Sequence, residues 1–507
     1  MPGFRREHGF LGFAFIILTI STVAWTLADH TPPSWDPADH LRTAYDLYQP
    51  LVRGEITGFL LEFFQTPHPY APLYHSITAV AFLIFGASRL SGIIANFLAL
   101  AVLLISVNWI GERLYPESSE RGATIRPGVV AAILAVCYHF PAWLIHDAFL
   151  DYLLTAMVAL AFAMLLRADE FHVRADAAVF GVVAGLGMLT KQTFPFFFIL
   201  PAAFLWYRAL IRRDRRAIAN LLLSAAIIAL IASIWYIPHL NDVIGIYQVN
   251  ALNAGMEHEK PLFSAVSLAY YWGALCDVQI QLPLSLLFIA GAAYSIRRRF
   301  RQDWMLYLWI LSGILTFTCV ANKDIRYTVP ALPAVALLSV SWLDRVRRNS
   351  RPLLSAALVL WAFVSFLNAQ WPSQSRDLRV SVREIPLYFL AGNVFRFDHP
   401  PMAEDWSVPE IVRATAGHKL GVVPNLWQLN PSNIALYARF LAPGRGSPPL
   451  VDVHWLAGDA TPDRLDYCDY VLVLKESAIA LSEHFRPVAV FRLPDSQHAV
   501  LYKRLQL

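Results

Sequence analysis

Charge is what this sequence has least of. Asp, Glu, Lys and Arg together make up 15% of its 507 residues, against about 25% in an average globular protein. Lysine is scarcer still: of 41 basic residues six are Lys, at 191, 260, 323, 419, 475 and 503, and the rest are Arg. So little charge over this length excludes a disordered chain, a nucleic-acid binder and an ordinary cytosolic enzyme. Cysteine is nearly absent too. The four (Cys137, Cys276, Cys319, Cys468) are scattered without CxxC or metal spacing, which argues against a disulfide framework and a zinc site. No internal repeat is evident, and no GxSxG, HExxH, Walker or GxGxxG motif stands in a suitable context, so ATP and nicotinamide chemistry have no support.

What is present is apolar: 57% of residues are hydrophobic and mean hydropathy is +0.46. Crossing a bilayer takes about 20 mostly apolar residues. Charge-poor runs fall near 9–28, 69–88, 90–110, 128–146, 152–166, 177–190, 192–207, 217–238, 278–296, 304–322, 327–343 and 352–370. The first follows Arg5 and Arg6 like a signal peptide, but the spans behind it favour an uncleaved anchor.

The arginines set the orientation through the positive-inside rule. If 69–88 does not cross, twenty Arg lie in segments on one side, and the loops opposite carry seven basic residues (Arg42, Arg53, Arg89, Lys191, Lys260, Lys323, Arg326). If 69–88 crosses, most of those Arg move outside. The sequence therefore predicts eleven crossings, a cytosolic N-terminus, and 69–88 lying on or dipping into the outer face as an interfacial helix. Two outer loops are long, 29–89 and 239–277. The tail, 371–507, has soluble composition and is expected outside as an α/β domain, with strands at 420–423, 470–474, 489–493 and 499–502 and helices at 409–416 and 433–440. The expected division is thus a membrane domain over 1–370 and an extracytoplasmic domain over 371–507.

Chemistry is to be sought on the outer face, because the cytosolic loops are short and mostly Arg. The first loop opens Trp35-Asp36-Pro37-Ala38-Asp39-His40-Leu41. A carboxylate there suits a general base; equally, Asp36-Pro37 suits the start of a helix over 37–51, with Asp36 as its N-cap. A metal site from Asp36, Asp39 and His40 has no diagnostic spacing. Asp151 stands where an apolar run begins and reads either as a functional acid at membrane depth or as another N-cap. Lys191, in a short outer turn, is either a snorkelling side chain or a compact cation for a phosphate. Lys323-Asp324-Ile325-Arg326 forms either an anion site, with Arg326 able to contact phosphate bidentately, or an internal ion-pair network.

Taken in order, these pieces resemble the polytopic GT-C-fold glycosyltransferases that use polyprenyl-phosphate sugars, including the protein O-mannosyltransferases and aminoarabinose transferases. The matching stretches are Trp35–Leu41, His68-Pro69-Tyr70-Ala71-Pro72, Leu150-Asp151-Tyr152, Leu189-Thr190-Lys191-Gln192 and Lys323–Tyr327. The resemblance implies sugar transfer from a polyprenyl phosphate in the outer leaflet to a hydroxyl acceptor, usually with inversion. It implies Asp36 as base, Asp151 as a second acid near the site, and Lys191 and Arg326, with Lys323 beside them, toward the donor phosphate. His40, His68 and Tyr70 are further first-loop candidates. Many family members carry Asp-Glu in the first loop; here Pro37 follows Asp36, and Asp39 is the alternative base. The expected partners are the bilayer, the lipid-linked donor and a glycan, lipid or protein acceptor, in a bacterial inner membrane. No certain cofactor is implied; a divalent metal is compatible with the resemblance but not indicated by the residues. The alternative is a polytopic lipid or glycan transporter or flippase, for which inverted repeats and mid-membrane charges would be expected; the sequence shows neither.

Overall fold

The computed structural model describes residues 6–65, 70–116, 125–256, 259–347, 349–373, 377–382, 385–392, 394, 399–456, 461–475, 481 and 483–505. A helical bundle occupies the chain through Gln370, and strands follow it.

Most of the charge-poor runs become helices, but shorter ones than the runs themselves. By length and composition, five described helices can each cross a membrane: His8–Ala28, Arg89–Leu114, Leu150–Arg167, Arg215–Tyr236 and Arg351–Gln370. A sixth crossing results if the pair Ala265–Gln279 and Gln281–Arg298, bent by 119°, counts as one. Eleven crossings were expected, and fewer described helices than that are individually long and apolar enough. The reason is local: several runs contain helix breaks that hydropathy cannot register. The run 128–146 breaks at Tyr138, between Pro127–Cys137 and His139–Leu144, and 327–343 begins in 3₁₀ geometry over Ile325–Ala331 before turning α-helical at Leu332–Ser339. The run 69–88 contains one helix of 13 residues, Leu73–Phe85, at 1.5 Å per residue too short to span a bilayer. The loop expected over 239–277 is itself helical, Leu240–Met256 and Ala265–Ala274.

Small residues let the bundle close. A Cβ on Gly111 would lie 2.4 Å from the Gly128 Cα, so the two helices meet backbone to backbone, as membrane helices commonly do. The core is almost continuous: Pro127–Cys137 is buried along its whole length.

After the bundle, β1 (Leu378–Val382) and β2 (Ile385–Leu390) form an antiparallel hairpin. Then come β3 (Lys419–Val422), β4 (Asp452–Trp455), β5 (Tyr470–Leu474), β6 (Phe485–Arg492) and β7 (His498–Arg504), in the sheet order β4-β3-β5-β7-β6. β3 runs parallel to β4 and β5, while β7 is antiparallel to β5 and β6. The helices Val408–Ala414 and Pro431–Phe440 pack on the sheet through Val408, Ile411, Ile434 and Ala438. The hairpin and β4 were not anticipated. β4 is short and reads Asp-Val-His-Trp, too polar to signal a strand by itself.

The first long loop joins these two parts. Its helix Trp35–Val52 turns Asp46 to Arg439, with guanidinium contacts of 2.8 and 3.2 Å, and Gln49 donates to the Ser447 carbonyl at 3.0 Å. Asp29 accepts from the Met402 amide at 3.0 Å and from Arg89 at 2.7 Å.

Candidate active site

Asp36 and Asp151 each sit in the first turn of a helix, Trp35–Val52 and Leu150–Arg167, where the positive end of the helix dipole favours a carboxylate. Neither is the N-cap. Ser34 and Phe149 hold those positions, without side-chain capping bonds. The capping alternative therefore fails for both acids, and their carboxylates are engaged elsewhere.

Asp36 Oδ2 accepts a hydrogen bond from an Arg326 terminal nitrogen at 2.7 Å. Arg326 is gripped on its other edge by Asp324, whose Oδ2 takes the Nε at 2.8 Å and the second terminal nitrogen at 2.5 Å. Asp324 is also the N-cap of the turn Ile325–Ala331 and accepts the Arg326 amide at 2.8 Å. One short polar segment thus fixes both the backbone and the guanidinium of Arg326. The guanidinium lies 4.8 Å over the Phe149 ring. The ion-pair network read from Lys323–Arg326 exists, and it extends to the first loop.

Asp151 pairs with Lys191 at 2.7 Å, and the two side chains are only 2% and 9% exposed. Lys191 is placed by its turn. Gly187 has no side chain, so the Phe194 ring can fold back onto the preceding helix; a Cβ there would meet it at 2.2 Å. The Phe194 amide then donates to the Lys191 carbonyl at 3.0 Å, and the Leu73 amide ties Leu189 to the first loop at 2.8 Å. The Lys191 ammonium stands 5.8 Å from the centre of the Tyr327 ring. A snorkelling lysine would point to water; this one points inward.

The two pairs face one cavity of about 390 Å³, lined by Asp36, His40, Tyr70, Asp151, Lys191, Lys323, Asp324 and Arg326 among others. Residues from six separate stretches meet there. Lys323 is present but partly committed: its ammonium donates to the Phe317 and Thr318 carbonyls at 3.1 and 2.8 Å, capping the helix Phe300–Thr318. Burial draws its pKa below the ordinary value. His40 is buried and its Nδ1 lies 3.2 Å from His75 Nε2, so one imidazole donates and the other accepts. Burial pushes the Tyr70 phenol up, and the Asp36 charge adds to that, so Tyr70 is a proton donor here. Asp39 is not among the residues lining the cavity. It points along the other flank of its helix, to Arg42 at 3.1 Å. His68 lies outside the described residues.

Burial pushes the Asp36 carboxyl up, but Arg326 chiefly, with His40 and Lys191, outweighs it and holds Asp36 below the ordinary carboxylate value. The side chain is nonetheless 41% exposed, facing the cavity it lines. Asp36 is therefore an ionised carboxylate open to an incoming ligand. Three carboxylates (Asp36, Asp151, Asp324) and three cations (Lys191, Lys323, Arg326) balance within the site.

Sequence reasoning missed the lining supplied by Tyr247 and Asn250, on the helix Leu240–Met256, and by Gln192, Thr193, Asn322 and Tyr327. Gln192 and Asn322 adjoin residues the sequence does single out. Nothing local marks Tyr247 or Asn250. Among the described residues no group of three or more His, Cys, Asp or Glu could hold a metal ion.

A bundle with helices able to cross a membrane, a helical first loop carrying an acid, and a sheet-containing C-terminal region describe a polytopic protein, and its likeness to solved structures shows the GT-C fold. Comparison with known proteins agrees. Residues 67–240 match the family model described as dolichyl-phosphate-mannose-protein mannosyltransferase, a stretch that includes Asp151 and Lys191 but neither Asp36 nor Arg326. The chain is similar to the crystal structure of ArnT from Cupriavidus metallidurans in the apo state, with a TM-score of 0.60 over 97% of both chains at 16% identity. It is also similar to ArnT bound to undecaprenyl phosphate, with a TM-score of 0.56 over the same 97% of each chain and 16% identity. At that identity the likeness establishes the shared fold. A curated, uncharacterised protein from Aquifex aeolicus (strain VF5) is 24% identical over 190 residues, which is 35% of this chain and 36% of that protein. The chain thus matches about a third of that relative's length.

Proposed function

We propose that the protein is a membrane glycosyltransferase that moves a sugar from a polyprenyl-phosphate donor to a hydroxyl acceptor, with Asp36 as the base. The observation carrying this is the convergence of an ionised acid, Asp36, with Lys191 and Arg326 on one cavity. ArnT, whose fold the chain shares, has been solved with undecaprenyl phosphate, which supports a lipid phosphate as the donor's leaving end.

In the proposed reaction the acceptor hydroxyl gives its proton to Asp36 Oδ as its oxygen attacks the anomeric carbon. The bond from that carbon to the phosphate oxygen breaks, and the polyprenyl phosphate leaves with one further negative charge. Attack opposite the leaving group inverts the anomeric centre. As Asp36 becomes neutral, its hold on Arg326 weakens, and the guanidinium charge turns to the phosphate where charge is accumulating. Lys191, held by Asp151, supports the same oxygen atoms. Fixed cations aimed at developing charge are worth more in a cavity than in water, and a phosphate leaving group needs no second acid.

The test uses full-length protein in liposomes with undecaprenyl-phosphate-linked sugars, following release of undecaprenyl phosphate and labelling of the acceptor by mass spectrometry. Sugar transfer that depends on the lipid-linked donor and is lost in Asp36→Asn supports the proposal. Transfer by Asp36→Asn at the wild-type rate removes Asp36 from it. Movement of intact lipid across the bilayer without bond cleavage would favour a flippase instead.

A further inference from the structure

The three carboxylates lining the cavity of about 390 Å³ are all paired. Asp36 and Asp324 hold Arg326, and Asp151 holds Lys191. Lys323 is turned to two backbone carbonyls, and His40 to His75. Much of the remaining lining is uncharged: the amides of Gln192, Asn250 and Asn322, the Thr193 hydroxyl, and aromatic rings such as Phe196 and Phe317. The volume falls within the range of small-molecule sites, about 300–1,000 Å³.

Gln192 stands apart among these. Its side chain lines the cavity, yet the residue is only 8% exposed, and its Oε1 is buried with no hydrogen-bond partner among the described residues. A buried amide oxygen without a donor is costly, and the great majority of such oxygens in native proteins are satisfied. Thr190, two residues earlier and also buried, shows the contrast: its hydroxyl donates to the Leu186 carbonyl at 3.2 Å. The turn carrying Gln192 is fixed on both sides. The Thr190 amide donates to the Gly187 carbonyl at 3.0 Å, and the Phe194 amide to the Lys191 carbonyl at 3.0 Å. A well-held turn therefore presents an unsatisfied acceptor at the wall of the same cavity that Lys191, Asp36 and Arg326 line.

We propose that Gln192 is a specificity-determining residue whose amide oxygen accepts a hydrogen bond from a hydroxyl of the transferred sugar, and that this sugar is uncharged. The proposal rests on the glycosyltransferase reading above and names the class of its donor sugar. An amino sugar would bring an ammonium group to a cavity whose carboxylates already hold cations. A uronic acid would bring a carboxylate that competes with the phosphate for Lys191 and Arg326. Either charge would lose hydration without a partner of its own. A neutral sugar brings hydroxyls, which donate to Gln192 Oε1 and exchange hydrogen bonds with Asn250, Asn322 and Thr193, and apolar C–H faces, which suit the aromatic rings. A site built to bond a substrate hydroxyl discriminates against analogues that lack it, because its own polar groups are then left unpaired.

The experiment uses full-length protein in lipid nanodiscs carrying a fluorescent analogue of undecaprenyl phosphate, displaced by unlabelled lipids. These are undecaprenyl phosphate bearing glucose, mannose, galactose or arabinose, the amino and uronic acid counterparts of each, and the methyl ester of undecaprenyl phosphate, which has the same single phosphate charge and no sugar. At least one neutral-sugar lipid should bind more tightly than the methyl ester and than its own charged counterparts. Gln192→Leu should weaken that lipid about tenfold, the loss of one hydrogen bond, and leave the methyl ester unchanged. Because Oε1 bonds no described residue, the variant should unfold no earlier than the wild type. Monodeoxy versions of the preferred sugar identify the hydroxyl. One of them should bind the wild type about tenfold more weakly than its parent and be indifferent to Gln192→Leu, the non-additivity that marks a direct contact. Tighter binding of a charged-sugar lipid, no gain over the methyl ester, or equal weakening of every lipid by Gln192→Leu each overturns the sugar assignment while leaving the lipid-phosphate donor standing. Absence of saturable binding by the fluorescent lipid overturns the donor reading and this assignment together, so the two failures are distinguishable.

Discussion

Arg326 and Asp36 are 290 positions apart in sequence and 2.7 Å apart in space. That single contact ties the first long loop to the turn after the helix Phe300–Thr318. It also determines the ionisation of the acid proposed as the base.

Replacing Asp36 with Asn keeps the shape and removes the proton acceptor. Transfer should fall by about 10²–10⁴-fold, the usual contribution of a general base. Thermal unfolding in detergent should move little, because the side chain faces a cavity. Asp39→Asn should retain most of the activity, since Asp39 points to Arg42 and not into the cavity.

The pH profile should report the Arg326 contact. Burial raises the Asp36 pKa, but Arg326 and its neighbours bring it below the ordinary value, about 3.9. The base is then ionised throughout the neutral range, and kcat/KM should show no acid limb between about pH 5 and 7. In Arg326→Gln burial is left largely unopposed. The acid limb should move upward, so activity at pH 5 falls relative to pH 7 beyond any uniform loss. The stability supplied by ionised Asp36 follows the same sign. It is present above the unfolded carboxylate value and is lost as pH drops through the lower folded one.

Lys191 and Asp151 are a buried pair, and breaking one partner leaves the other uncompensated. Lys191→Met should destabilise by about 3–5 kcal/mol, seen as a lower unfolding temperature in detergent. The double variant Asp151→Asn/Lys191→Met should regain most of that stability but not the ability to use the lipid donor. Recovery of donor use in the double variant would show the pair to be structural only.

Asp147 provides a control away from the cavity lining. Burial pushes its carboxyl up to about 6, against the pull of Arg89 and the Ala148 amide. The folded protein therefore prefers the protonated acid. The cost of its ionisation is absent below the unfolded value near 3.8 and complete above about 6. Asp147→Asn should raise the unfolding temperature at pH 7.5 and leave it unchanged near pH 4.

Some of the site was legible because its residues violate expectation locally. A lysine that alone separates two apolar runs, or an acid at the start of one, stands out without any partner. Lys191, Asp151 and Arg326 were read that way and all three line the cavity. Tyr247 and Asn250 carry no such signal, since their segment reads only as part of the long loop 239–277 and its helix, Leu240–Met256, was not anticipated. The choice between Asp36 and Asp39 was equally closed to sequence. Three residues of helix turn a side chain by only about 60°, and only the docking of that helix shows that this step takes Asp39 off the cavity lining while Asp36 stays on it.

The sequence by itself determined a membrane protein and strands at 470–474 and 499–502, which fall within β5 and β7, because hydropathy and alternation are local properties written into neighbouring residues. The structure alone decided the rest. Helix breaks set how many runs are long enough to cross, and chain segments hundreds of residues apart pair their charges. These depend on packing, where a buried carboxylate must find a cation wherever the fold brings one, and that partner has no fixed distance along the chain.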